Sequence, residues 1–178
     1  MWANVLAEII DEPDFEWLMI DASHCKVHPH ASGAVGGNQA MSRTKGGLNP
    51  KFTLLWMRMG MPIRFIITEG TVSDCTKAIE LITDIDACEL LADKAYDTNE
   101  IISFAAENGM TVTIPSKKNR KSKREHDEYT YQLRHLVENA FLKFKRFRGV
   151  ATRYAKTVSA FTGSVTLAAL VIWLRVLV

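Results

Sequence analysis

Three carboxylates, with one phenol and two cations placed near the last of them, are the residues of this 178-residue chain whose types and spacing could do chemistry. Asp21 closes the apolar run FEWLMID, Asp93 closes the run ELLAD, and Glu138 lies within YQLRHLVENAFLKFK, residues 131–145. Three carboxylates brought together repel one another unless a divalent cation neutralises them. Hard oxygen ligands select Mg²⁺ or Mn²⁺. Two such ions, about 3.5–4 Å apart, activate a water or a 3′-hydroxyl and stabilise the leaving oxygen of a phosphodiester. In that arrangement Asp21 bridges the ions, and Asp93 and Glu138 each hold one. On a helix turning about 100° per residue, Tyr131, Arg134, Glu138 and Lys145 fall within roughly 60° of one another. Arg134 and Lys145 would then bind flanking phosphates, while Tyr131 hydrogen-bonds a phosphate or stacks on a base.

Residues 131–145 contain no Gly or Pro and Gly149 follows, which predicts one continuous helix with a stop signal. Leu133, Leu136, Val137, Phe144 and Phe147 form a second stripe that buries it. FEWLMID has the form of a central strand that delivers Asp21 to the edge of a sheet. Residues 31–49 hold five of the ten glycines, match no phosphate-loop pattern, and read as a mobile loop beside the site or as a plain linker. Residues 51–58 and 63–68 form a hairpin across Gly60, Met61 and Pro62. Ser73 caps a helix reaching Ile85, with Ala78, Leu81, Ile82 and Ile85 inward. A strand at 89–93, a helix from Thr98 to Asn108-Gly109 and a strand at 111–114 follow. This order predicts an α/β, RNase H-like fold: a mixed five-stranded sheet flanked by helices, its first and fourth strands adjacent and parallel. Sites in such sheets form beyond the carboxyl ends of the strands, where Asp21 and Asp93 both emerge.

The net charge is +2, but residues 117–156 carry 13 Lys and Arg against 4 Asp and Glu, and the remainder 9 against 16. This segregation points to a polyanion met by one face, with Lys117, Lys118, Arg120 and Lys121 beside the helix as contacts. Cys25, Cys75 and Cys88 are odd in number, widely spaced and without a CxxC pair, so neither a disulfide framework nor a cysteine-based zinc cluster is indicated, and a reducing cytosol fits. No secretory signal pattern opens the chain. Residues 158–178 are apolar, but Ser159, Thr162, Ser164, Thr166 and Arg175 interrupt them, so a buried terminal helix is expected rather than a membrane span. Trp2, Val5, Leu6, Ile9 and Ile10 recur at helical spacing without a capping residue before them, so the chain is expected to start inside a helix.

With these residues assembled, the chain resembles the DDE transposases of the insertion-sequence-five family. The likeness is carried by MIDAS around Asp21, GGL at Gly46 to Leu48, LLADKAYD around Asp93, and the spacing of Tyr131, Arg134, Glu138 and Lys145. The resemblance implies metal-dependent DNA cleavage at terminal inverted repeats and strand transfer into target DNA, by a bacterial protein that acts at the nucleoid and self-associates on DNA. Ala95 stands where the family usually has Gly. The family's upstream helix-turn-helix region has no counterpart here, so residues 1–12 are expected to trail from it. A partner or fusion from an upstream frame would supply it. Residues 1–178 would then be a single RNase H-like catalytic domain, and the 44 residues between Asp93 and Glu138 leave it compact.

Two other functions compete: an RNase H-type structure-selective nuclease, and a non-catalytic DNA-binding regulatory product of the element. A nuclease needs the carboxylates but not the basic helix face. His24, Cys25, His28 and His30 form a possible zinc cluster without a second half. His126 and His135 have no assigned chemistry, and Asp97 reads as a helix cap or spare ligand.

Overall fold

The computed structural model describes residues 1–10 and 15–177, with side chains through Arg175. Residues 11 and 12 of the expected trailing helix, and residue 178 of the expected terminal one, lie outside the described residues. Helix α1 (Trp2–Ile9) precedes strands β1 (Trp17–His24), β2 (Lys26–Val27), β3 (Ser42–Thr44), β4 (Gly47–Met57) and β5 (Met61–Glu69). Then come α2 (Ala78–Ile82), β6 (Glu89–Ala92), α3 (Asn99–Glu107), β7 (Thr111–Thr113), α4 (Glu128–Gln132), α5 (His135–Lys145), α6 (Arg148–Ala151), β8 (Thr152–Arg153) and α7 (Val158–Leu177).

The frame is a five-stranded path β5-β4-β1-β6-β7, antiparallel on the β4 side of β1 and parallel on the β6 side. This is the mixed RNase H-like sheet that the element order predicts. Leu18, Met19 and Ile20 of β1 and Leu90, Leu91 and Ala92 of β6 are all buried. Parallel strands covered on both faces read as such continuous apolar runs. The β4–β5 hairpin turns at Gly60, whose φ of +69° is open to glycine, and its register shifts between Leu55 and Trp56. Pro62 sits opposite Trp56 at that shift, a place where a residue without an N–H is tolerated.

The structure departs from expectation in several places, among them a small parallel pair of β2 with β8. A sixth strand, β3, pairs with residues 47–49 inside the glycine-rich stretch that read as a loop. Here Thr44 Oγ1 accepts from the Gly46 amide and from the Asn49 side-chain amide. β1 runs three residues beyond Asp21, because β4 keeps pairing with it through His24 opposite Lys51. The helix expected from Ser73 to Ile85 is a 3-10 turn, Asp74–Lys77, followed by the short α2. Ser73 places its hydroxyl against Cys75 Sγ rather than capping, and buried Lys51 binds both the Asp74 carboxylate and the Val72 carbonyl. The single helix expected at 131–145 breaks into α4 and α5. The Leu136 and Val137 amides take i→i−3 bonds to the Leu133 and Arg134 carbonyls, tightening the chain where Arg134 leaves for the sheet.

Helix α5 buries Val137, Ala140, Phe141 and Phe144, and the rings of Phe141 and Phe144 meet Trp56 edge-on at 5.4 and 5.2 Å. Helix α7 is long and apolar enough to cross a membrane by length and composition. In the fold, its Phe161, Val165, Ala168, Ala169, Leu170, Ile172 and Trp173 are buried, and the Trp173 indole donates to the Pro62 carbonyl at 2.7 Å. Its approach is set by Arg153. That residue is fully buried, stacks over Phe161, and donates to the carbonyls of Gln39, Ala155 and Lys156. Gln39 Oε1 in turn accepts from the Val158 amide, so the glycine-rich stretch is stapled to the start of α7. Arg153→Ala leaves these carbonyls unpaired, and is expected to lower unfolding stability by about 3 kcal/mol in urea titrations.

Candidate active site

The site begins with strand register. β1 and β6 pair in parallel with Ile20 opposite Ala92, after which the pairing ends. The next residue on each strand is a carboxylate, Asp21 on one and Asp93 on the other. Both are half-buried. Each has one oxygen committed to its own backbone: Asp21 Oδ1 accepts from the Ala22 amide at 2.8 Å, and Asp93 Oδ1 from the Ala95 amide at 2.7 Å. The second bond caps a 3-10 turn, Lys94–Tyr96, and so ends the strand at Ala92.

Arg134 reaches across from the α4–α5 break and donates to Asp21 Oδ2 at 3.0 Å. Burial pushes the Asp21 carboxyl up. The Ala22 amide and the Arg134 charge oppose this, and the neighbouring Asp93 and Asp74 carboxylates reinforce it, so the net direction is upward. Two half-buried hard-oxygen donors set side by side, with the Arg134 guanidinium the only cation hydrogen-bonded to the pair among the described residues, form a site short of positive charge, which a divalent cation fits.

Glu138 lies in the first turn of α5 and is exposed. Among the described residues no group of three His, Cys, Asp or Glu is gathered closely enough to hold an ion. The structure therefore brings Asp21, Asp93 and Arg134 together, with Glu138 one helical turn further along and facing solvent. Tyr131 is half-buried against the edge of His126, ring centroids 5.5 Å apart, and Lys145 is exposed in the last turn of α5. Lys118 and Lys121 are exposed, whereas Lys117 donates its backbone amide to Asp97 Oδ2. Arg120 is occupied internally, its Nε on Asp97 Oδ2 at 2.8 Å and a second nitrogen on Asn99 Oδ1. Within the candidate zinc cluster, the Cys25 thiol is buried and donates to the Val150 carbonyl at 2.9 Å, burial pushing its pKa up to about 11. His24 pairs with Asn49, and His28 stacks on Tyr154 at 4.5 Å.

The sequence reading gave Asp97 another role and Lys51 none. Asp97 is neither cap nor spare ligand: Thr98 caps α3 through the Ile101 amide, and Asp97 is buried beneath Arg120 and Arg124, each at 2.8 Å. It thereby ties the basic segment 117–124 to the loop that follows Asp93. Its partners lie 23 and 27 residues away, beyond any local pattern. Lys51 did leave a signal, a lysine set in the buried run of β4, where an unpaired ammonium is not tolerated.

The family model of the transposase DDE domain matches residues 13–174. A Brucella ovis protein, named provisionally as a transposase for insertion sequence element IS6501, is 38% identical over 119 residues, covering 66% of this chain and 92% of that protein. Among solved structures, the piggyBac transposase in a synaptic complex with hairpin DNA superposes with a TM-score of 0.60 at 11% identity. That alignment covers 98% of this chain, which spans half the length of the piggyBac chain. The catalytic core domain of BIV integrase gives a TM-score of 0.47 at 12% identity, over 89% of this chain and 81% of that one.

Burial alone would raise the Asp97 carboxyl, but the Arg120 hydrogen bond, the Lys117 amide and the charges of Arg120 and Arg124 outweigh it and hold it low. A carboxyl whose folded pKa lies below its unfolded value stabilises the fold above about pH 4, and that contribution is lost as pH falls through the folded pKa. Asp97→Asn is thus expected to lose about 2–3 kcal/mol at pH 7. In urea titrations the gap from wild type should narrow below about pH 4.

Proposed function

Because this chain belongs to the transposase DDE domain family, we propose that it cuts DNA at the terminal inverted repeats of a bacterial insertion sequence and transfers the freed strand into target DNA. The observation that carries the reading is the parallel register that sets Asp21 beside Asp93 at the carboxyl end of the sheet. In the first step a water oxygen bonds to phosphorus and the P–O3′ bond breaks, leaving a 3′-hydroxyl at the element's end. In the second, that hydroxyl oxygen attacks a target phosphodiester, forming one P–O bond and breaking another.

Asp21, Asp93 and Glu138 would hold the divalent ions, two of Mg²⁺ or Mn²⁺, which supply activation of the attacking oxygen and neutralisation of charge at the phosphate. For Glu138 to join, α5 must bring its first turn toward the sheet, and Arg134 is the side chain that already links the two. Arg134, Lys145, Tyr131 and the exposed Lys118 and Lys121 bind flanking phosphates, with Lys117 and Arg120 shaping that basic segment around Asp97. Residues 1–178 act as one RNase H-like domain that self-associates on DNA in the bacterial cytoplasm, and an upstream-frame partner or fusion supplies recognition of the ends. Placement in the insertion-sequence-five group rests on MIDAS, GGL, LLADKAYD and the spacing of the α4–α5 residues.

The test is cleavage of labelled DNA bearing the element's ends with Mg²⁺ or Mn²⁺, by the chain alone and joined to the upstream frame. Asp21→Asn, Asp93→Asn and Glu138→Gln should each abolish cleavage with the fold intact, and an active Glu138→Gln variant would refute its assignment. DNA bound but never cut by either form would favour the regulatory product. Arg134→Ala and Lys145→Ala should each weaken binding and reduce the salt dependence of affinity by about one unit of log-log slope, measured by fluorescence anisotropy across salt concentrations.

A further inference from the structure

Tyr96 carries a polar group that the reaction just described leaves without a task. Its side chain is fully buried, and its hydroxyl has no hydrogen-bond partner among the described residues. It is the last residue of the 3-10 turn that Asp93 caps, and its amide donates to the Asp93 carbonyl at 3.0 Å. The neighbouring turn, Asp74–Lys77, packs against this one, and buried Lys51 holds Asp74 in place. A phenol is a hydrogen-bond donor at neutral pH. Buried hydroxyls without partners are rare because each lowers stability, and those that persist are concentrated where function requires them. Here a buried hydroxyl without a partner ends the very turn that Asp93 caps, and Asp93 has a second carboxylate oxygen with acceptor capacity to spare.

We propose that Tyr96 is a positioning residue for the Asp21–Asp93 pair: in the cation-loaded protein its hydroxyl donates to a carboxylate oxygen of that pair and fixes the orientation in which the pair meets the ion. The inference rests on the transposase reading and adds to it a residue that contacts neither the ion nor DNA. Outer partners of ligating carboxylates act in this way, orienting the ligand and raising affinity for the ion. The Tyr96 side chain is fully buried, so water is not an alternative partner for the phenol.

The decisive variant is Tyr96→Phe, which removes one oxygen and keeps the ring. Three measurements on the full chain separate positioning from packing: thermal melting without metal, Mn²⁺ affinity by electron paramagnetic resonance, and the Mn²⁺ concentration giving half-maximal cleavage. The expected result is a melting temperature equal to or above wild type, since an unpaired buried hydroxyl has gone, with Mn²⁺ affinity reduced by about tenfold or more and the half-maximal Mn²⁺ concentration raised in proportion. Wild-type Mn²⁺ affinity in Tyr96→Phe would overturn the proposal, whether or not its melting temperature changed. Asp21→Asn and Asp93→Asn serve as the reference. If they lose Mn²⁺ binding and cleavage while Tyr96→Phe matches wild type, only this inference falls. If they bind and cut as wild type does, or if wild type binds no Mn²⁺, the reading beneath it falls as well.

Discussion

Everything at the candidate site depends on one constraint, the parallel pairing of β1 with β6 that stops after Ile20 and Ala92. Adjacent strands lie about 4.8 Å apart. At that spacing two unit charges oppose each other by roughly 3–4 kcal/mol at an effective dielectric of about 20. The sheet bears this because Leu18, Met19, Ile20, Leu90, Leu91 and Ala92 bury continuous apolar surface directly behind the two aspartates. Asp21 is held within a strand that β4 continues to pair, whereas Asp93 ends its strand by capping a turn. One carboxylate is therefore held inside a strand paired on its β4 side, and the other is fixed through its own backbone.

Around this pair the fold spends several charged side chains as fasteners. Lys51 joins β4 to the turn before α2, Asp97 joins the loop after Asp93 to the basic segment through Arg120 and Arg124, and Arg153 joins the glycine-rich stretch to α7. Each is buried, and each is met by several acceptors or donors, as burial of a charge demands. They differ in purpose from Arg134, which is half-exposed and rests on Asp21 from a break between two short helices. A cation on a short, broken helical segment can transfer to a phosphate at far lower cost than one caged in the core.

Much of this was legible in the chain itself. The apolar runs ending in Asp21 and Asp93, the hairpin around Gly60 and the helix capped by Thr98 all follow from local periodicity and turn chemistry, and together they predict the mixed sheet with its first and fourth strands adjacent. Of the stripe expected to bury α5, Val137 and Phe144 are buried and Leu136 and Phe147 pack partly buried against the core, where Ala140 and Phe141 join them, and α7 is covered as its apolar composition requires. The strand β3 was hidden because a three-residue strand among glycines has no periodicity to read. The shortened helix at 78–82 was hidden because the lysine that reshapes its start is more than twenty residues away.

The sequence by itself determined which residues carry charge to the end of the sheet, because an apolar run and the residue type that closes it are local properties. Only the tertiary structure decided how those charges are distributed. It pairs Asp21 with Arg134 across 113 residues, closes two arginines over Asp97, buries the Tyr96 hydroxyl without a partner in the turn that Asp93 caps, and leaves Glu138 exposed on α5. Burial and long-range electrostatics are properties of the packed whole, and a pattern read a few residues at a time does not contain them.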